Sequence, residues 1–276
     1  MNRSGTLAWL QNALSPIAGD FAAPEAERIL TFLLGISRSD LYLGGNSELP
    51  GHLVEKIDAI IARRLTAEPL PYILGSAYFF DREIAVTSDV LIPRLDTETL
   101  VETVLANEDS KSKCFLDFGT GSGCISAALA GNRPWRAVAV DASRPSLRIA
   151  RINCGTGADL ICGNNFAALK SGRFDFLVSN PPYIPSAAIA ELDRSVRDFE
   201  PHQALDGGAD GLEFYRYFAA SAERLLKPGG GIYCEIGYDQ GESVTEILVS
   251  GGWKNIRIVK DLGGRDRVVY GKMGSD

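Results

Sequence analysis

The chain has 276 residues, of which 45% are hydrophobic and 23% charged, with a net charge of −7. This is enough for one large domain, or a large one plus a small one. The acidic balance argues against a broad non-specific nucleic-acid surface, which needs a clustered excess of Lys and Arg. Only two histidines occur, His52 and His202, far apart in sequence, so a histidine-based metal cluster is excluded. The five cysteines form no CxxC pair and are expected to be buried, reduced thiols rather than disulfide or zinc partners. No stretch approaches the roughly 18 continuous apolar residues of a membrane span, and the start lacks a signal-peptide pattern. A cytoplasmic protein, without membrane contact, is the expectation.

Residues up to about Leu74 read as helices. Pro24 is placed to open one at its first position, leading into Ile29, Leu30, Phe32, Leu33 and Leu34. Leu53, Ile57, Ile60, Ile61 and Leu65 fall at helical spacing, with Glu55, Lys56 and Asp58 opposite. Glu68-Pro69-Leu70-Pro71 interrupts that pattern. Tyr78-Phe79-Phe80 and Glu83-Ile84-Ala85-Val86 then flank a polar Asp81-Arg82, which suggests a hairpin linking two domains. From about Asp96 strands and helices alternate. Strands are expected over 114–118, 137–140, 159–162, 174–179, 231–236, 256–260 and 267–270, with helices following Ser122, Ser143, Gly211 and Asp239. Such alternation implies an α/β fold with a mostly parallel sheet covered on both faces. The last two strands are joined by too few residues for a crossover helix and should pair antiparallel.

The first of these strands runs into Asp117-Phe118-Gly119-Thr120-Gly121-Ser122-Gly123 and then into a helix. Glycines let the backbone turn sharply and approach a ligand, and a helix start presents unpaired N–H donors. Cys124 stands where a dinucleotide fingerprint would have its third glycine. The second strand ends at Asp141, about twenty residues after Gly119, where an acid can accept both hydroxyls of a ribose. A nucleoside-bearing cofactor follows from the combination.

The fourth strand delivers Asn180-Pro181-Pro182-Tyr183 to the same sheet edge. A residue before proline is kept out of the helical region, and two prolines fix φ while offering no N–H. The loop therefore presents the Asn180 side-chain oxygen and the Pro181 carbonyl as rigid acceptors. An NH₂ group on an sp² carbon carries two in-plane donors that satisfy both. Tyr183 adds a π face for the reacting plane or for a cation.

Together these motifs resemble the class I S-adenosylmethionine-dependent methyltransferases. More closely, the chain is similar to the PrmC/HemK family, which methylates the glutamine of the GGQ motif in peptide chain release factors. The likeness runs over nearly the whole chain. It includes Pro71-Tyr72-Ile73-Leu74-Gly75, Val90-Leu91-Ile92-Pro93-Arg94, Asp96-Thr97-Glu98, the glycine turn and Ser179-Asn180-Pro181-Pro182-Tyr183-Ile184. It continues through Phe199-Glu200-Pro201, Glu235-Ile236-Gly237-Tyr238-Asp239-Gln240-Gly241 and Asp266-Arg267-Val268.

The resemblance implies a helical substrate-recognition domain over 1–74, a β-hairpin linker over 75–93, and a Rossmann-like methyltransferase domain over 94–276. That last domain would hold a seven-stranded, mostly parallel sheet with an antiparallel last strand. It also implies S-adenosylmethionine contacts at Gly119, Thr120, Gly121, Ser122, Gly123 and Asp141. Asn180, Pro181, Pro182 and Tyr183 would hold the glutamine amide, with Asn180 also near the cofactor. Two departures stand out: Leu95 occupies a position where the family has a second proline, and Asn164-Asn165 replace an acid and a large aromatic. Both asparagines can still hydrogen-bond adenine, and Asn165 is carried as a cofactor contact. Stacking at Asn165 is lost, with Phe166 as its substitute. The expected partner is a class I release factor, acted on by a monomer with no direct nucleic-acid binding. Alternatives are a methyltransferase for a ribosomal-protein glutamine, a nucleic-acid adenine methyltransferase, and a scaffold with a dead site.

Overall fold

The computed structural model describes residues 2–274. It comprises two compact units, one running up to Gly75 and including Asp193–Phe199, the other formed by Ser76–Leu192 and the chain from Glu200 onward. Among the described residues no helix is long and apolar enough to cross a membrane.

The smaller unit contains α1 (Arg3–Ala18), α2 (Ala22–Leu34), α3 (Arg38–Leu43), α4 (His52–Leu65) and α5 (Leu70–Leu74). Asn2 starts α1 by accepting the Gly5 N–H at 2.8 Å, and Gly35 ends α2 in the left-handed region at φ 64°. Apolar residues recurring every three or four positions put Leu10, Leu14, Ala26, Ile29, Leu30 and Ile57 in one core. Buried Arg64 of α4 grips Glu25 of α2 with Nε at 2.9 Å and Nη2 at 3.0 Å. Pro24 is the third residue of α2 rather than its first. The first-turn N–H groups have no intrahelical acceptor, so proline is tolerated there as well.

In the larger unit β1 (Ser76–Phe79) and β2 (Arg82–Ala85) form the hairpin. Its turn lies at Phe80-Asp81, one residue earlier than expected, with φ of 49° and 58°. These are the positive values of a two-residue hairpin turn, and Glu98 Oε1 accepts the Phe80 N–H at 2.8 Å. The chain continues through α6 (Glu98–Asn107), β3 (Cys114–Phe118), α7 (Cys124–Asn132), β4 (Arg136–Asp141), α8 (Arg144–Cys154), β5 (Ala158–Cys162) and β6 (Phe174–Ser179). After the single turn α9 (Arg194–Arg197), which belongs to the smaller unit, come α10 (Glu213–Ser221), β7 (Leu226–Glu235), α11 (Gly241–Ser250), β8 (Trp253–Lys260) and β9 (Asp266–Met273).

The large sheet has the order β5-β4-β3-β6-β7-β9-β8, parallel throughout except for β9, which runs antiparallel to both neighbours. All seven expected strands are present, and β7 and β8 begin earlier than the apolar pattern indicates. Their first residues pair irregularly, with register shifts between Phe174 and Phe176 and between Lys254 and Arg257. Strand alternation sends Phe115 and Phe176 to one face, stacked at 5.1 Å. It sends Phe118 to the other, where it meets Phe166 and Phe218 edge-on at 5.0 and 5.5 Å. Of the five thiols, Cys124 and Cys234 are buried as expected, but Cys162 at the end of edge strand β5 is exposed.

The turn between β3 and α7 is anchored from below by Asp117, which is fully buried. Its Oδ2 accepts hydroxyls from Thr120 at 2.7 Å and Ser126 at 2.6 Å, while Oδ1 has no partner. Burial pushes this carboxyl up to about 6, against the two hydroxyls that favour its charged form. Because the folded value lies above the unfolded one, the folded chain holds the extra proton between about pH 4 and pH 6, and this group's contribution to stability declines as pH rises through that window. Relative to wild type, Asp117→Asn should therefore gain on the order of 1 kcal/mol of stability between pH 5 and pH 7.5. Urea denaturation of both proteins at the two pH values measures this, and a pH-independent difference would contradict the assignment. In the same assay Phe176→Ala, which empties a fully buried ring site, should cost about 3–5 kcal/mol.

Candidate active site

The chain builds β3, β4 and β5 outward in one direction, then returns to place β6 on the other side of β3. That reversal opens a crevice at the C-terminal ends of β3 and β6, where open α/β sheets bind ligands. Three strand ends are tied together there. Ser179 Oγ at the end of β6 donates to the Phe118 carbonyl at 2.6 Å. The Gly119 and Thr120 N–H groups both donate to the Val140 carbonyl, at 2.8 and 3.0 Å. Gly121 N–H donates to Asp141 Oδ2 at 2.8 Å.

The glycines serve different ends. Gly119 and Gly121 have φ of 73° and 53°, and a Cβ on either would point into open space. A Cβ on Gly123 would lie 2.8 Å from Cys154 Sγ and 3.1 Å from the Ala150 backbone. Its role is close packing of the turn against α8. Helix α7 then starts with no side-chain cap on its first N–H groups.

A cavity of about 460 Å³ occupies the crevice, inside the roughly 300–1,000 Å³ range of cofactor and small-molecule sites. Gly119, Thr120, Gly121, Ser122, Asp141, Asn180 and Pro182 line it, whereas Gly123, Pro181, Tyr183 and Asn165 do not. Asn164 reaches the cavity in place of Asn165. Asn165 folds back on its own loop, with Oδ1 accepting the Ala167 N–H at 2.9 Å and Nδ2 donating to Asn164 Oδ1 at 3.0 Å. Phe166 is buried in the aromatic core and is not available as a stacking substitute. Asp141 Oδ1 accepts the Ser143 N–H at 2.8 Å, so each oxygen holds one backbone donor and keeps lone-pair capacity for a ligand hydroxyl. Burial raises its pKa, opposed by those two N–H groups.

The loop after β6 is clamped from several sides. The Asn180 amide nitrogen donates to Thr97 Oγ1 at 3.1 Å, which leaves Oδ1 for a ligand. Gln240 donates to the Tyr183 carbonyl at 3.0 Å, and its own Oε1 is fixed by the Gly237 N–H at 2.9 Å. A Cβ on Gly211 would collide with the Tyr183 carbonyl, and one on Gly207 would sit 2.8 Å from the Pro182 carbonyl. Tyr183 turns inward, its hydroxyl donating to Glu235 Oε1 at 3.3 Å. Burial pushes Glu235 up to about 7, opposed by Thr97, Arg267 and Tyr183, which favour the charged form. Arg267 is held in turn by Asp96 at 3.0 Å and Asp261 at 3.1 Å.

Sequence reasoning gave the remaining wall no site role, although Val90-Leu91-Ile92-Pro93-Arg94 carried part of the family resemblance. Asp89, Val90, Leu91, Pro93 and Arg94 supply one side, and Phe214 and Tyr217 of α10 another. The apolar pair Phe214/Tyr217, three residues apart and just after Gly211, is the helical signal that could have marked that side. Arg94 is fixed by Glu200 at 2.5 Å, which joins the Ile-Pro-Arg and Phe-Glu-Pro segments.

Comparison with known proteins identifies the family of the chain. The PrmC N-terminal domain family model matches residues 6–75, and the methyltransferase small domain model matches 79–193. A release factor glutamine methyltransferase of Geobacter sulfurreducens is 39% identical over 272 residues, covering 97% of this chain and 95% of the relative. One from Rhodospirillum rubrum is 41% identical over 253 residues, covering 90% of this chain and 78% of the relative. In structure, a methyltransferase from Pyrococcus furiosus superposes with a TM-score of 0.54 over 81% of this chain and all of the other, at 16% identity, which establishes likeness of fold. With a relative so similar along almost its entire length, the chain belongs to the release factor glutamine methyltransferase family.

Proposed function

We propose that this chain transfers a methyl group from S-adenosylmethionine to the side-chain amide nitrogen of the glutamine in the GGQ motif of peptide chain release factors. The observation that carries the reading is the Asn180 carboxamide, anchored through its nitrogen and lining the cavity beside the glycine turn. The family likeness supplies the substrate.

The residues present suit the cofactor. Open space beside Gly119 and Gly121 lets a ligand approach the backbone closely, and the Asp141 carboxylate retains acceptor capacity for ribose hydroxyls. Asn164 takes the place of Asn165 as the proposed adenine contact. S-adenosylmethionine, when bound, supplies an electrophilic methyl on a sulfonium sulfur.

The protein's part is orientation. Asn180 Oδ1, at the cavity wall, would accept one hydrogen of the glutamine NH₂, and the carbonyl of Pro181, next in the chain though outside the cavity lining, would accept the other, turning the nitrogen lone pair toward the cofactor side of the cavity. A neutral amide is a weak nucleophile, and fixed geometry of this kind can remove several kcal/mol of barrier without a strong base. Tyr183 supports the loop from behind rather than facing the reacting plane.

Asn180→Ala should leave binding of S-adenosylhomocysteine within about threefold of wild type while lowering turnover by about 100-fold or more. Calorimetry measures the first, and mass spectrometry of the GGQ-containing tryptic peptide after incubation with cofactor and a release factor measures the second. A mark found only on a ribosomal protein or on nucleic acid, or turnover that survives the substitution, would refute the reading.

A further inference from the structure

The backbone of the glycine turn can be followed bond by bond. Gly119 and Thr120 donate their N–H groups to the Val140 carbonyl, Gly121 donates to Asp141, and Gly123 donates to the Thr120 carbonyl at 2.8 Å. The N–H groups of Ser122 and Cys124 have no acceptor among the described residues, and both residues line the cavity. The Ser122 carbonyl is held from outside the turn. Asn153 of α8 donates its Nδ2 to it at 2.8 Å.

Three bonds fix which end of the Asn153 carboxamide faces the turn. Its Oδ1 accepts the Ala85 N–H at 2.8 Å, and its Nδ2 donates to the Ala85 carbonyl at 3.0 Å as well as to Ser122. A flipped amide would set its NH₂ against the Ala85 N–H and its oxygen against two carbonyls, so only one orientation satisfies all three partners. Asn153 thus pairs with both backbone groups of Ala85, at the end of β2, and carries that anchor to the glycine turn. The peptide between Ser122 and Gly123 is tied at both ends, its N–H to Thr120 and its C=O to Asn153. Gly123 has φ of 79° and no side chain, so its own backbone preference does not settle how that peptide points.

We propose that Asn153 is a positioning residue for cofactor binding. It holds the Ser122–Gly123 peptide away from the ligand, and so keeps the adjoining Ser122 and Cys124 N–H groups open to acceptor atoms of S-adenosylmethionine. The inference rests on the cofactor named above and is independent of which substrate receives the methyl. Asn153 does not line the cavity and acts only through the turn. Without its NH₂ the carbonyl of buried Ser122 would lack a partner. Rotation of the peptide toward the cavity would then satisfy that carbonyl at the ligand's expense.

The test compares full-length wild type with Asn153→Asp and Asn153→Leu. Aspartate keeps the shape and an acceptor for Ala85 but has no NH₂ for Ser122, whereas leucine removes both functions. Either variant should bind S-adenosylhomocysteine about tenfold more weakly, measured by calorimetry. With an intact release factor, KM for S-adenosylmethionine should rise in proportion while kcat stays within about threefold, because the Asn180 loop is untouched. A purely structural role would lower the folded fraction and leave the affinity of the folded remainder unchanged, and that result overturns the inference. Amide exchange in wild type tests the same point without a substitution. S-adenosylhomocysteine should slow exchange at Ser122 and Cys124 by about tenfold or more, read by NMR, and no slowing at either amide would also overturn it. Wild type that binds no S-adenosylhomocysteine removes the cofactor reading itself, an outcome separate from these.

Discussion

The buried hydrogen bond from Ser179 Oγ to the Phe118 carbonyl joins two strand ends that the chain reaches 61 residues apart. The rest of the site depends on that junction. The glycine turn continues directly from Phe118 and the Asn180 loop directly from Ser179, so the bond sets how far apart these two pieces of backbone lie. Contacts from elsewhere in the fold hold both turns in place. The first is pulled onto the end of β4 through Val140 and Asp141, and the second is pressed between Gly207, Gly211 and Gln240. Loops carry the chemistry here, but strand ends supply the rigidity, a division of labour common to open α/β sheets.

Much of this was legible in the sequence. Strands buried on both faces read as continuous apolar runs, so Phe115-Leu116 and Phe176-Leu177-Val178 identified themselves, and Gly119 to Gly123 and Asn180 to Tyr183 announced local geometry. What stayed hidden depended on distant partners. Thr97 lies 83 residues from Asn180, and nothing in Asp96-Thr97-Glu98 says which side chain meets it. Tyr183 has an exposed-looking position in its motif yet turns toward Glu235, because a buried carboxylate attracts a nearby hydroxyl. Asn165 was expected at the cavity, but a short amide side chain also bonds its own backbone two residues on, and that local option prevailed. The hairpin turn moved one residue because Glu98 captures the Phe80 N–H, again a contact invisible along the chain.

The acids around the crevice share a second property. Asp117, Asp141, Glu200 and Glu235 all lose water on folding, and burial raises the pKa of each. Such burial is costly, and a fold retains it where a negative potential is useful. Of the four, Asp141 alone borders the cavity, and the other three support the backbone and side chains around it.

The smaller unit is written in two places, up to Gly75 and again at Asp193–Phe199, although it gathers as one body. Within it the Ser195 hydroxyl and N–H, with a smaller attraction from Arg64, hold Asp193 below its usual carboxylate range. A recombination breakpoint after Gly75 would therefore transplant an incomplete module, leaving seven foreign residues in the recipient to meet helices they did not evolve with. Swaps that respect both segments should be tolerated more often, which ties the history of the front helices to that of the loop following Asn180.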